Sequence, residues 1–295
     1  MQEGGGGLCR FPAPCFAPAS NPQASKRKAS DLLTPVTMSH PHLPLELSDQ
    51  VVDLLHDSRD TLKSCCLVSK SWVPRSRKHL FAVINFRNTD DVQSWKAVFP
   101  DPSTSPARYA KTLSITSHCA IAAAGAGEGC WVSAFSRVVQ FTMNTVGSDS
   151  KKMTVSLVPF YGFSPILKSL HVAASTLTHS QIFNFAHSFP LLEDLSIDSP
   201  DNANDDPNKQ PSVTQPSTSP PFTGSLRLFA CTGTESIASR LLSLPNGLHF
   251  RKLDLTWHRG ADSSCTTALV EECRSTLEYI KIDYGCIGTP AQYLH

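Results

Sequence analysis

The chain has 295 residues and a mass of 32.1 kDa, long enough for a sizeable buried core and for more than one domain of about 100–150 residues. Its 26 Lys+Arg against 25 Asp+Glu leave a net charge of +1, which gives no global attraction to a polyanion and argues against a dedicated nucleic-acid binder or a generic membrane-surface binder. Charged residues are only 17%, the deficit being made up by Ser, Thr, Pro and Asn, and no run approaches the ~18 uninterrupted apolar residues of a membrane span.

Residues 1–39 read as a disordered tail. Gly4 to Gly7 are conformationally free, Pro12, Pro14, Pro18 and Pro22 oppose helix, and apolar residues are too sparse for a core. The start lacks a basic segment followed by an apolar one and does not read as a secretory signal. The short basic cluster Lys26-Arg27-Lys28 falls below the usual length of a nuclear-import signal and reads as solvated tail. The expected compartment is cytoplasmic and/or nuclear. There the ten cysteines would be free thiols; they contain no C-x-x-C pair and no zinc-site spacing, so no metal and no cofactor is expected.

Residues 40–88 read as a unit of three short helices. Leu43, Leu47, Val51, Leu54 and Leu55 form one apolar stripe, and Leu62, Cys65, Cys66 and Val68 a second. Trp72, Ser76 and Leu80 lie along a third segment. Ser58 or Asp60 is expected to cap the second helix and Ser69 the third. Three helices in under about 40 residues bury too little surface to stand alone, so their apolar residues need a partner.

Residues 89–295 carry a different pattern. Pairs of apolar residues in φ-x-φ spacing recur at Leu113/Ile115, Phe141/Met143, Leu170/Val172, Leu195/Ile197, Leu226/Leu228, Leu253/Leu255 and Ile280/Ile282, with steps of 28, 29, 25, 31, 27 and 27 residues. Val138, Leu167, Leu192, Phe250 and Leu277 add an apolar residue three before the pair. This is the L-x-x-L-x-L core of a leucine-rich repeat, whose period is about 20–29 residues. Segments 180–188, 236–244 and 265–276 read as helices between strands. The fold class is therefore α/β: a three-helix start followed by a solenoid of strand–helix repeats. The polar stretch 200–222 reads as a disordered loop between two repeats. Gly125, Gly127 and Gly129 do not make a dinucleotide fingerprint, since the G-x-G-x-x-G order fails.

The phrases Leu43-Pro44-Leu45-Glu46 and Leu67-Val68-Ser69-Lys70-Ser71-Trp72, joined by an amphipathic helix, resemble the F-box, in particular that of the expanded families of mushroom-forming fungi. In that family the motif opens with Leu-Pro-x-Glu and closes with Leu-Val-Ser-x-x-Trp. The repeat region around 163–170 and 188–197 is similar to the C-terminal region of the same proteins. The resemblance implies a substrate receptor of an SCF-type cullin–RING ubiquitin ligase, with no catalysis of its own. The F-box would bind the Skp adaptor and, through it, cullin, while the repeats would hold an unknown protein substrate. By the family's pattern, Leu43, Pro44, Leu47, Val51, Leu55, Leu67, Val68 and Trp72 would make or present the adaptor contact. Plain core packing is the competing account of each.

Residues beside the φ positions would point away from the core: Ser114, Thr142, His171, Ser196, Asp198, Arg227, Asp254, Lys281 and Asp283. Their mixed charge suits a polar protein or peptide. His171, Asp198, Arg227, Asp254 and Lys281 are the substrate-binding candidates. Other readings stay open. A repeat scaffold outside ubiquitination would bury Val51 and Trp72 against the repeats. An enzyme would need a cleft with converging titratable groups, although no G-x-S-x-G, H-E-x-x-H or P-loop is present. Lys63, Lys70, Arg75, Arg77 and Lys78 could touch nucleic acid, but no aromatic residues interleave them and a solvated helix face accounts for them.

Overall fold

A computed structural model describes residues 44–116, 121, 131–144, 157–173, 177–198, 222–231, 237–238, 241–243, 248–258 and 263–285. The tail 1–39, Leu43, and the loop from 200 to 221 lie outside the described residues, as do Gly125 to Gly129. The protein is α/β, with one eight-stranded parallel sheet and six α-helices among the described residues. No helix among them is long and apolar enough to cross a membrane.

Three helices open the fold: α1 (Leu45–Leu54), α2 (Arg59–Val68) and α3 (Val73–Leu80). Pro44 precedes α1, where its missing amide costs nothing, and its carbonyl accepts the Ser48 amide at 3.0 Å. The Ser58 hydroxyl caps α2 by accepting the Thr61 amide. Ser69 does not cap the third helix: it closes α2, its hydroxyl accepts the Ser71 amide, and Trp72 occupies the position before α3. The reason is that Lys70 to Trp72 form a turn, so α3 starts one residue after the tryptophan.

The sheet follows. β1 (Val83–Phe86) leads through α4 (Thr89–Val98) to β2 (Thr112–Ile115), then β3 (Gln140–Asn144) and β4 (Ser169–Ala173). α5 (His179–His187) precedes β5 (Asp194–Asp198), then come β6 (Phe222–Cys231), β7 (Leu248–His258), α6 (Ser263–Cys273) and β8 (Tyr279–Gly285). The strands lie in sequence order, each parallel to the next. Right-handed crossovers that always step the same way place their connections on one face and leave the other open.

All seven predicted φ-x-φ pairs are strands, and they share one register. Leu113, Phe141, Leu170, Leu195, Leu226, Leu253 and Ile280 occupy one row, and Ile115, Met143, Val172, Ile197, Leu228, Leu255 and Ile282 the next. The sheet begins earlier than the reading placed it. Ile84 and Phe86 continue both rows on β1, inside the 40–88 stretch. Helix α4 was not expected either, because only Val92 and Trp95 turn inward from it. Phe222 begins β6, so the loop ends before it and not at it. The expected helix at 236–244 is helical at 237–238 and 241–242 and in a turn at Ser243; its other residues are outside the described ones.

A backbone device recurs at the strand starts. The carbonyls of Ala82, Lys111, Val139 and Lys168 each accept two successive amides: Lys111 and Thr112, Val139 and Gln140, Lys168 and Ser169, Glu193 and Asp194. Bulky aromatics fill the space behind the strands. Phe86 meets Trp95, Trp131 and Phe135, mostly edge to face, and Phe141, Phe163, Phe185 and Phe189 form a second cluster with centroids 5.0–6.2 Å apart. A full capping box holds the start of α5: the Thr178 hydroxyl accepts the Gln181 amide and the Gln181 side chain accepts the Thr178 amide.

Gly224 is the one position in β6 that only glycine can hold. Its φ is +93°, the register shifts beside it, and a Cβ there would overlap the Glu193 carbonyl. Gly162 also has positive φ (+61°), but its Cβ would meet only the Ser188 carbonyl, at 3.8 Å. Gly162→Ala should therefore cost about 1–2 kcal/mol from φ alone. Gly224→Ala should cost more, about 3 kcal/mol or above, because backbone must also move. Urea unfolding of the two variants against wild type checks the order.

Candidate functional site

The three helices turn their polar and apolar residues in an unusual sense. In α1, Ser48 and Val52 face inward, four residues apart. Leu47, Val51 and Leu54 stand on the other side at i, i+4 and i+7, and Leu45 is exposed with them. Leu54 is 83% exposed. In α2, Leu62 and Cys65 are buried, while Leu67 and Val68 in the last turn are 88% and 70% exposed. Pro44 is exposed, and Leu55 and Trp72 are partly buried. Leu43 lies outside the described residues.

Among the expected adaptor residues, then, Pro44, Leu47, Val51, Leu67 and Val68 are not core. Leu67 and Val68 stand largely clear of the described residues, while Leu47 and Val51 are 46% and 38% exposed. Leu54 belongs to the same face and was not among the expected contacts. Leu54 was already in the stripe, so its helical spacing was signal enough. The apolar patch is larger than a monomer needs, since a fully exposed leucine forgoes the ~1.5–3 kcal/mol that its burial contributes.

An ion-pair clamp holds this face in place. Asp53 of α1 accepts both the Nε and Nη2 donors of Arg75 on α3, and the Nε2 of His79 lies 2.7 Å from its Oδ1. Arg75 and His79 are four residues apart, on one side of α3. The Asp53 backbone carbonyl also lies 2.8 Å from Nδ1 of His56. Hydrogen bonds from Arg75 and then His79 hold the Asp53 carboxyl well below the usual carboxylate range. Of the five basic residues considered for nucleic acid, Arg75 is committed to this clamp and Lys63 pairs with Asp60 at 2.8 Å.

The second candidate surface is the open face of the sheet. Asn85, Ser114, Thr142, His171, Ser196, Arg227, Asp254 and Lys281 lie in one row across all eight strands. Four of the five substrate-binding candidates are thus brought into line. Asp198 sits two residues beyond Ser196 on the same face of β5, paired in register with Phe229. The charges largely satisfy one another: Arg227 contacts Asp254 at 3.1 Å, and Lys281 lies 2.6 Å from Asp283 and 3.9 Å from Asp254. Beside them is a half-buried polar group. Nδ1 of His171 is 3.0 Å from the Ser196 hydroxyl. Burial holds His171 below its ordinary value, with Asp198 opposing and Arg227 reinforcing the shift; burial pushes Asp198 up. In its neutral form the His171 imidazole offers one donor and one acceptor.

A cavity of about 400 Å³ lies between α2, α3 and β1, with Leu62, Ile84 and Trp95 in its wall and His56, His79 and Asp91 at its polar side. No Ser, Thr or Cys lines it. His79 is engaged by Asp53, and Asp91 accepts the Arg87 amide at 2.8 Å. Among the described residues, no three His, Cys, Asp or Glu side chains stand together as a metal site.

The clamp makes a pH prediction. Asp53 has a depressed carboxyl in the folded protein, so its contribution is present above the unfolded value of about 4 and is lost as pH falls below it. Asp53→Asn should be less stable than wild type at pH 7, and the gap between the two should narrow progressively as pH falls below about 4. Chemical denaturation at a series of pH values reads this directly; a gap that persists at low pH would remove the clamp as its cause. No family model matches the chain, and no match is found among curated proteins.

Proposed function

We propose that the protein is a substrate-receptor subunit of an SCF-type cullin–RING ubiquitin ligase. In this reading α1–α3 are an F-box that docks on the Skp adaptor, and the eight-stranded sheet with its helices is a leucine-rich-repeat-like solenoid that holds a protein substrate. The observation that carries the reading is the row Leu47, Val51, Leu54 with Leu67 and Val68, left exposed on a three-helix unit whose inner face is already filled. All of these side chains but Leu54 are where the F-box resemblance places adaptor contacts. A partner that covers them gains about 1.5–3 kcal/mol for each large apolar side chain removed from water.

The mechanism requires no chemistry from this chain. The adaptor side would fix the receptor to the ligase, and the open polar row would hold the substrate. Joining the two raises the effective concentration of substrate lysines near the charged conjugating enzyme. The Asp53 clamp matters here because it sets α1 against α3, and so sets the apolar row as a rigid surface. A preorganised surface loses less entropy on binding.

The test is co-expression of the full chain with a Skp adaptor and affinity capture. Wild type should capture adaptor stoichiometrically. Leu54→Asp with Leu67→Asp should reduce capture at least about tenfold while the thermal transition stays nearly unchanged, because these side chains are 83% and 88% exposed. A folded wild type that captures no adaptor would overturn the ligase reading and favour a repeat scaffold outside ubiquitination.

A further inference from the structure

The sheet ends differently at its two sides. At one side, β1 follows directly from the three helices. At the other, β8 has no paired neighbour beyond it among the described residues. The apolar rows are cut open there. Leu253 and Leu255 on β7 are fully buried, but their row partners Ile280 and Ile282 on β8 are 41% and 36% exposed. Such an edge presents both unused backbone donors and acceptors and uncovered apolar side chains.

The phase of the edge follows from the ladder. The Thr112 and Thr116 amides donate to Ala82 and Phe86 on β1 at 3.0 and 2.9 Å, and the Ser225 amide donates to Glu193 on β5 at 2.7 Å. Thr112 and Ser225 share a row with Tyr279. In a parallel ladder a residue's amide and carbonyl point to the same side, and the side alternates along the strand. Tyr279, Lys281 and Asp283 therefore turn their backbone to β7, and Ile280, Ile282 and Tyr284 turn theirs to the open edge.

We infer that β8 pairs antiparallel with β8 of a second copy of this chain, about a two-fold axis through Ile282. The sequence Tyr279-Ile280-Lys281-Ile282-Asp283-Tyr284-Gly285 is complementary to itself in that register. Ile282 faces Ile282 of the second copy on the apolar side, joining the two open rows. Lys281 faces Asp283, and Asp283 faces Lys281, so the axis makes two opposite-charge pairs. The backbone phase agrees: Ile282 with its copy, and residue 280 with residue 284, become the hydrogen-bonded pairs, about six bonds in all. Lys281 and Asp283 then fall at the non-hydrogen-bonded positions, where Cα atoms approach to about 4.5 Å and side chains lie closest. A shift of the axis by one residue, to 281 or 283, would keep outward-facing residues paired but would set Lys281 against Lys281 or Asp283 against Asp283, like charges at the closest positions. Both charged side chains are half exposed and reachable, at 48% and 52%. The contact is isologous and closed, so it stops at two copies.

The experiment is sedimentation velocity of the full chain across a concentration series, with charge variants at β8. Wild type should pass from 32.1 kDa to twice that mass as concentration rises. Lys281→Asp alone sets Asp against Asp twice, and Asp283→Lys alone sets Lys against Lys twice. Each should dimerise at least about tenfold more weakly. An equimolar mixture of the two should form a heterodimer, since every pair is then opposite in sign, and the doubly exchanged chain should dimerise like wild type. The ion pair within one strand predicts no gain on mixing. Wild type that stays monomeric throughout would overturn the inference and assign the edge to other residues of the chain or to a different protein. A dimer indifferent to all the variants would overturn it by placing the contact elsewhere, the exposed α1–α2 face included.

Discussion

The structure depends on one constraint: eight parallel strands keep a single side-chain register from Ile84 to Ile280. Because strand side chains alternate, that register sends every φ residue to one face and every intervening residue to the other. A slip of one residue at any strand would put leucines in water and place His171 or Asp254 in the core. The carbonyls of Ala82, Lys111, Val139 and Lys168, each shared by two amides, fix the register where each strand begins. The aromatic clusters behind the strands then fill the space that short crossovers leave.

The same constraint produces the polar face. Among the described residues its side chains are exposed or half-buried, in contrast to the buried φ rows of β1 to β7 on the opposite face. The row from Asn85 to Lys281 is thus a surface made by the chain's own regularity and not by a dedicated loop. Its charges are matched in neighbouring pairs, which lowers the pull on any simple ion.

The helical unit obeys a different logic. Its inner side is small: Ser48, Val52, Leu62, Cys65 and Ser76. With so little core, the position of α1 relies on the Asp53–Arg75–His79 group to tie it to α3. The apolar residues that the core does not use face outward. Leu47, Val51, Leu54, Leu67 and Val68 are among those so exposed.

The sequence by itself determined the α/β class, all seven strands from β2 to β8, helices at α5 and α6, and the face on which His171, Arg227, Asp254 and Lys281 stand. A local period repeated about every 28 residues carries that information, and neighbouring repeats only reinforce it. It also held the stripe of α1, since Leu47, Val51 and Leu54 are spaced at helical period. What it did not contain was the direction of that stripe. Periodicity says that residues share a face, not whether the face meets core or water; the packing of Val52 and Ser48 inward decided it. β1 was written in Ile84 and Phe86 but stood next to the helices and was read with them. The Asp53 clamp joins residues 22 and 26 apart, and the open rows at Ile280 and Ile282 exist because β8 is the last strand among the described residues. Both are facts of contact at a distance, which tertiary structure alone supplies.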